Sequence, residues 1–317
     1  MPVLELAGAE RIHVVKMPVP LPAQSETVLQ VELTGICGSE VHDSKFLEYR
    51  RPPVVMGHEI VGSLDNGTFV AVNPIVSCGE CNECRRGQQN ICDTRAVLGV
   101  HRPGGFASYV AVPLTQIVPL GPEINVLQAV MAEPLANGLH AWRLAQASPE
   151  SHLAVIGAGP IGLSVILTAI AEGAAQVDVI EPTDRRRAAA VSIGARPVHA
   201  VEGRYDIVFD CAGTSAARKT SVSALNPGGI AVWLGLESRD PGFDSTTLVR
   251  AEKTVRGSYG YTPPDFSDAV KFARFIPLDW INLHPLSSGP KIFDALWHGN
   301  SSALKIALRP DHLKEMP

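Results

Sequence analysis

The sequence predicts an α/β protein of two domains, one irregular and all-β, the other a doubly wound parallel sheet. Three observations carry this expectation. Residues 27 to 120 alternate short β-branched runs with Gly, Pro and Asn breaks. Between about 150 and 260, six short apolar runs alternate with Ala-rich stretches long enough to be crossover helices. A G-x-G-x-x-G stands directly between one such run and one such helix. With 317 residues and 45% hydrophobic content the chain can fill two ordinary cores.

Taken in order, "TVLQVELTG", "EIVGSL", "TFVAVNP", "FASYVAV" and "QIVPLG" are the strands of the first domain, and a cysteine-rich loop is an excursion from it. "NVLQAVMAEPLANGLHAWRLAQ" reads as helical. The second domain follows in "HLAVIG", "QVDVIE", "RPVHA", "YDIVFD", "GIAVWLG" and "TVRGSYG". The last part, from "DFSDAVKFARF" to "ALKIALRP", returns to mixed structure and is expected to fold back onto the first domain. The longest apolar run, 153 to 171, approaches bilayer-spanning length, but its embedded G-A-G-P-I-G makes it a strand, a tight turn and a buried helix. The start "MPVLELAGAE" lacks a basic segment and an apolar stretch, so the chain is read as intracellular and cytoplasmic, with its six cysteines reduced. Cys211, in "YDIVFDCAG", is then a small buried apolar residue. A net charge of -5 without long runs of one sign argues against nucleic acid or an anionic membrane as partner, and Arg185, Arg186 and Arg187 are too few to change that.

In the glycine motif, Gly157 permits the tight turn, Gly159 lets backbone approach a pyrophosphate, and Gly162 allows close packing of helix on strand. Pro160 and Ile161 open the helix, whose N-terminal N–H groups favour an anion. Glu181 ends the next strand, where a carboxylate accepts hydrogen bonds from the adenosine ribose. A 2′-phosphate there would meet repulsion of about 4 kcal/mol per charge pair at ~4 Å and an effective dielectric of 20, so NAD is preferred. Arginines 185 to 187 could offset that repulsion, which keeps NADP as a second reading.

The loop "CGECNECRRGQQNIC" has the spacing C-x2-C-x2-C-x7-C, with Cys78, Cys81, Cys84 and Cys92 able to surround one ion. An iron–sulfur cluster is the competing reading, but the ferredoxin run continues with C-x3-C-P, whereas here Cys92 comes later and Asp93 follows it. A second set is scattered: Cys37, Ser39 and His42 in "GICGSEVH", His58 and Glu59 in "GHE", and Glu133 in "AEPLAN". Thiolate, imidazole and carboxylate together suit zinc, and three protein ligands leave one position open. Singly, each has an ordinary reading: core filler, buried histidine, helix-surface acid.

The order of these motifs, G-I-C-G-S-x-x-H, G-H-E, the cysteine loop, E-P-L-A and G-x-G-x-x-G, resembles the zinc-dependent medium-chain alcohol and polyol dehydrogenases over nearly the whole chain. The resemblance implies a GroES-like β-barrel catalytic domain, residues 1–135 and 261–317, with a structural-zinc lobe at about 77–95, and a Rossmann domain, 136–260. It implies that Cys37 and His58 are catalytic-zinc ligands, with Glu59 and Glu133 the candidate acidic ones, and that Ser39 and His42 relay the alcohol proton. Arg186 matches a basic residue that touches the adenosine ribose. The four-cysteine loop matches a closed structural zinc away from the reaction, giving two zinc ions per chain. Active site and nicotinamide are expected between the domains.

Glutamate at 133 and "RGSYGYT" resemble the sorbitol-dehydrogenase branch, which implies interconversion of a secondary alcohol (polyol, sugar alcohol or cyclitol) and a ketone. An amino-alcohol dehydrogenase of the threonine type and a non-catalytic NAD-binding protein are the alternatives. Phe46, Tyr49 and Trp280 are candidates for a substrate pocket, and Arg50 and Arg51 for an acidic or phosphate group, against packing and an exposed loop as the ordinary readings. The passage after G-H-E is shorter than the family pattern. The resemblance further implies a homodimer or homotetramer acting on a small molecule.

Overall fold

The computed structural model describes residues 1–199, 204–240 and 245–311. The chain divides into two compact units, 1–133 with 262–317 and 134–261.

The first unit is built on a seven-stranded sheet in which Ile117–Pro119, Phe69–Val72, Glu59–Ser63, Glu26–Gly35, Lys305–Arg309 and Ile281–Pro285 lie side by side, with Tyr109–Pro113 also paired to Glu26–Gly35. Alternation in "ETVLQVELTG" turns Leu29, Val31 and Leu33 inward, where they join or adjoin Ile60, Val70, Val72, Val110 and Val112. The pairing of Glu59–Ser63 with Phe69–Val72 is closed by a tight turn, with Leu64 N–H on Thr68 O at 3.0 Å and Thr68 N–H on Asn66 Oδ1 at 3.0 Å. This turn is the shortened passage after G-H-E. A smaller sheet of Arg11–Lys16, Pro2–Gly8 and Val54–Val55 packs Leu4 and Leu6 with Met56, Phe106, Phe293 and Leu308. The cysteine loop leaves and re-enters through Ile75–Val76 and Ala96–Val97, which pair with each other.

Residues 262 to 311 belong to this first unit: Ala307 and Leu308 pair with Gly35 and Thr34, and the helix Gly289–Trp297 bonds the helix Gly38–Phe46 through Trp297 Nε1 and Ser44 Oγ at 3.0 Å.

The second unit is a six-stranded parallel sheet in the order Arg196–Pro197, Val177–Ile180, Leu153–Ile156, Tyr205–Asp210, Leu225–Trp233, Thr254–Gly257. The chain runs outward from Leu153–Ile156 in one direction, returns, and runs outward in the other, as in a doubly wound fold. Leu153 to Ile156 are all buried because helices cover both faces of such a sheet. Of the run "RPVHA", whose Ala200 lies outside the described residues, Arg196 and Pro197 pair in register at the sheet edge and Val198 N–H bonds Val179 O at 2.9 Å; proline has no N–H to donate, which suits an edge. "NVLQAVMAEPLANGLHAWRLAQ" folds as two helices, Val126–Ala129 and Ala132–Leu144. Pro134 would break one continuous helix and is tolerated in the first turn of a new one. No helix among the described residues is long and apolar enough to cross a membrane.

Candidate active site and metal centres

Cys37 caps the helix Gly38–Phe46, His58 precedes the strand Glu59–Ser63, and Glu59 begins it. One ligand atom from each lies within 4.8 Å of the others. Ligand atoms on a tetrahedral ion with bonds of about 2.0–2.3 Å stand roughly 3–4 Å apart, so small side-chain adjustments suffice to enclose zinc. Glu133, at the start of its helix, lies outside this group, yet its negative charge acts on Glu59 and on Lys305.

Three residues support the cluster, two of them, Glu40 and Lys305, outside the candidates read from the sequence and the third, Arg50, in a role other than the one expected. The first is Glu40, completely buried. Its Oε1 lies 3.0 Å from His58 Nδ1 and accepts Gly57 N–H at 2.8 Å, while Oε2 accepts Cys37 N–H at 3.1 Å. With Nδ1 so engaged, Nε2 is the nitrogen left for a metal, the arrangement by which a carboxylate fixes the tautomer of a histidine ligand. Burial opposes the charge on Glu40, but His58, Arg50 and the Cys37 N–H outweigh it and hold the carboxyl below its ordinary range. Burial likewise opposes the charge on His58, and the negative charges of Glu40 and Cys37 overcome it, raising the imidazole well above its ordinary value.

The second is Lys305, at 3% exposure, ion-paired with Glu59 Oε2 and donating to Ile36 O at 3.1 Å. Glu59 Oε1 is buried without a hydrogen-bond partner. Desolvation and the Glu133 charge push the Glu59 carboxyl up to about 7, against the pull of Lys305 and His58. A buried carboxylate with one oxygen held by an ammonium and the other unbonded beside a thiol and an imidazole fits a cation.

The third is Arg50. It is buried rather than an exposed loop arginine, bonded to Asp43 and Gly99 O, so it is not open to a substrate anion. Arg51 bonds the carbonyls of Leu47, Glu48 and Arg50. Ser39 and His42 are exposed on the helix that Cys37 caps, with the His42 ring 4.7 Å from Phe46. Phe46 and Tyr49 are exposed, whereas Trp280 is buried packing.

In the cysteine loop, Cys78 Sγ lies 3.6 Å from Cys92 Sγ and 3.9 Å from Cys84 Sγ, close to the edge of about 3.8 Å for a tetrahedron with 2.3 Å zinc–sulfur bonds. The Cys81 N–H points at Cys78 Sγ at 3.4 Å and the Cys84 N–H at Cys81 Sγ at 3.5 Å. Backbone donors from Glu80 and Cys81 bring the Cys78 thiol down to about 6, which favours the thiolate a metal needs.

In the second unit, Gly157 has φ +91 at the end of Leu153–Ile156, and a Cβ on Gly162 would overlap the Gly157 carbonyl. A Cβ on Gly159 would meet nothing. Packing within the unit therefore does not demand glycine there, and the space beside Gly159 is open. Pro160 and Ile161 begin the helix. Glu181 ties the turn together, Oε2 accepting Ala158 N–H and Oε1 accepting Thr183 N–H, both at 2.8 Å. Arg187 folds back on Glu181 O and Asp184, and Arg186 is exposed. Cys211 is half-buried, its thiol pushed up by burial and Asp210.

Comparison with known proteins agrees with this construction. The profile of the alcohol dehydrogenase GroES-like domain matches residues 23–122, and that of the zinc-binding dehydrogenases matches 160–274. The chain is 32% identical to L-galactonate-5-dehydrogenase of Escherichia coli (strain K12) over 276 residues, 78% of this chain and 80% of that protein. It is 32% identical to L-threonine 3-dehydrogenase of Pyrococcus abyssi (strain GE5 / Orsay) over 270 residues, 76% of each. A zinc-binding dehydrogenase from Sinorhizobium meliloti 1021, solved bound to NADP, superposes with a TM-score of 0.89 at 26% identity, covering 98% of this chain and 99% of that one. On these matches, the chain belongs to the zinc-dependent medium-chain alcohol and polyol dehydrogenases, oxidoreductases of CH–OH groups with a GroES-like domain, a Rossmann domain and NAD(P) as acceptor.

Proposed function

We propose that this protein oxidises a secondary alcohol of the polyol or sugar-acid class to a ketone, reversibly, with NAD, at a zinc held by Cys37, His58 and a glutamate. The observation that carries the reading is the convergence of a thiol, an imidazole and a carboxylate oxygen of Glu59 within 4.8 Å, with Glu59 Oε1 buried and without a hydrogen-bond partner. When bound, zinc acts as a Lewis acid that makes the substrate hydroxyl acidic, and the nicotinamide accepts the carbinol hydride. The chain's own residues do the rest. Glu40 orients His58, and Lys305 holds one oxygen of Glu59 and leaves the other to the ion. Glu133 is close enough in charge to serve as an alternative acid. Ser39 and His42, exposed on the helix capped by Cys37, take the alcohol proton outward. The glycine turn, with Pro160 and Ile161 at the helix start, seats the pyrophosphate, and Glu181 and Arg186 meet the adenosine ribose.

The relative acting on galactonate supports an oxygen-rich substrate, and the relative named for threonine supports the amino-alcohol alternative. A panel of polyols, sugar acids, cyclitols and L-threonine, followed as NADH formation, separates them. Turnover of threonine alone would replace the polyol reading, and no turnover with zinc bound would favour a non-catalytic NAD-binding protein. With the best substrate, kcat/KM for NAD is expected to exceed that for NADP by at least about 100-fold, because a 2′-phosphate would face the Glu181 carboxylate at a cost of a few kcal/mol. Equal values would mean that arginines 185 to 187 dominate the pocket.

The four cysteines are read as a second, closed zinc site that stabilises its loop and has no vacancy for substrate. Metal analysis should find two zinc ions per chain, falling to one in Cys78→Ser; iron, or no change on substitution, would refute this. We take the protein as cytoplasmic on its thiol chemistry, and as a homodimer or homotetramer on the resemblance; sedimentation measures the latter.

A further inference from the structure

We propose that Arg50 is a positioning residue that couples the four-cysteine lobe to the metal ligand His58. The inference rests on the reading that Cys37, His58 and Glu59 hold the catalytic metal.

The guanidinium makes contact with two parts of the first unit at once, the segment at Gly99 and the helix Gly38–Phe46. Nε donates to Gly99 O at 2.9 Å, just after the strand Ala96–Val97 through which the chain leaves the lobe. Nη1 donates to Asp43 Oδ2 at 3.1 Å and to Ser39 O at 3.4 Å, on the helix that Cys37 caps. Nη2 has no hydrogen bond of its own and faces Glu40 Oε1 at 3.7 Å, the oxygen that His58 Nδ1 also meets. Asp43 further accepts the N–H groups of Tyr49 and Arg50, each at 2.8 Å, which pins the loop carrying the arginine.

The backbone repeats the connection. A Cβ on Gly99, which has φ +77, would stand 2.8 Å from the carbonyl carbon and oxygen of Gly57, the residue before His58. Gly57 O accepts Gly105 N–H at 2.8 Å, and Gly57 N–H goes to Glu40. The segment leaving the lobe therefore lies flat on the peptide that presents His58, and Arg50 ties that segment to the helix whose Glu40 holds Gly57 and His58. The paired strands Ile75–Val76 and Ala96–Val97 close the base of the lobe, so its order is passed to Gly99 through a short, hydrogen-bonded path. Lysine cannot replace this grip, because it lacks the planar fork that reaches Gly99, Asp43 and Glu40 together.

The test is a double-substitution cycle on the zinc-loaded protein with Co²⁺ exchanged into the three-ligand site. Binding is read from the thiolate-to-cobalt absorption band and its competition with a chelator. Arg50→Lys and Cys78→Ser are each expected to weaken Co²⁺ at that site by about 10-fold or more, the size of effect seen when a ligand's supporting partner is lost. The double variant should be no more than about twofold weaker than the weaker single one, because both break the same connection. Should Arg50→Lys fail to fold, Asp43→Asn, which keeps the shape and removes the charge, takes its place in the cycle. A cobalt band absent from the parent, or persisting in Cys37→Ser, defeats the ligand assignment and the coupling with it. A normal parent band with Co²⁺ affinity unchanged in either single variant, or with losses that multiply in the double, overturns the coupling alone.

Discussion

Cys37→Ser is expected to lower kcat by at least about 1,000-fold while NAD affinity stays within about twofold and one zinc ion per chain remains. On the proposed site, the loss follows from removing the soft donor that lies with His58 and Glu59 where the three could hold an ion. A Lewis acid at a developing alkoxide contributes several kcal/mol, and about 4 kcal/mol is three decades in rate. The other two quantities report parts of the chain that do not contain Cys37: the glycine turn of the second unit, and the four sulfurs between 78 and 92. His58→Ala should behave in the same way. Turnover within tenfold of the parent, with zinc content unchanged, would remove Cys37 from the site.

Lys305→Met is expected to destabilise the metal-stripped protein by about 3–5 kcal/mol at pH 8, because breaking a buried ion pair leaves an uncompensated charge. Lys305 is the ammonium paired with Glu59, and it also offsets the charges of Cys37 and Glu133. The pH dependence distinguishes this from loss of packing. The Glu59 carboxyl is already pushed up to about 7 by burial, above its ordinary value of 4.5. A carboxyl raised in the folded state favours folding below its unfolded value, and that contribution is lost as pH rises from about 4.5 through about 7. Without the lysine the carboxyl rises further, so the variant's deficit should be small at pH 5, where both proteins hold Glu59 protonated, and largest above pH 7. Urea titrations of the stripped parent and variant at pH 5 and pH 8 measure it. A deficit equal at the two values would show that Lys305 acts through its methylenes and not its charge. Zinc should restore much of the lost stability, since it supplies the missing positive charge to Glu59.

Much of this was legible in the sequence because the relevant signals are local. The six runs of the parallel sheet read correctly as strands, since covering by helices makes each a short apolar stretch between Gly or Asp breaks. The run at 196 was overestimated because edge pairing depends on a neighbour and not on the run itself. Cys37, His58 and Glu59 stand out because their short motifs occur in order with the cysteine loop and the glycine turn, each residue alone having an ordinary reading. Glu40, within "GICGSEVH", carries no local signal, because what gives it a role is His58, 18 residues on. Arg50 was legible only as a charge on a loop; its burial depends on Gly99, 49 residues away. Lys305 bonds Ile36 O across 269 positions, a contact that neither spacing nor periodicity encodes. Candidate ligands are thus announced by motif order, while the residues that would aim and neutralise them are set by tertiary contacts.

The return of residues 281 to 309 to the sheet of the first unit bears on how the molecule is made. The second unit is one uninterrupted stretch and can complete its sheet while the ribosome is still translating. The first unit must wait: the Gly35 end of its strand Glu26–Gly35 keeps an open edge, and Glu59 lacks the Lys305 ammonium, until Lys305–Arg309 emerges. A nascent chain therefore carries an unfinished metal pocket through most of its synthesis. Loss of the strand Lys305–Arg309 would return even a finished protein toward that unfinished condition.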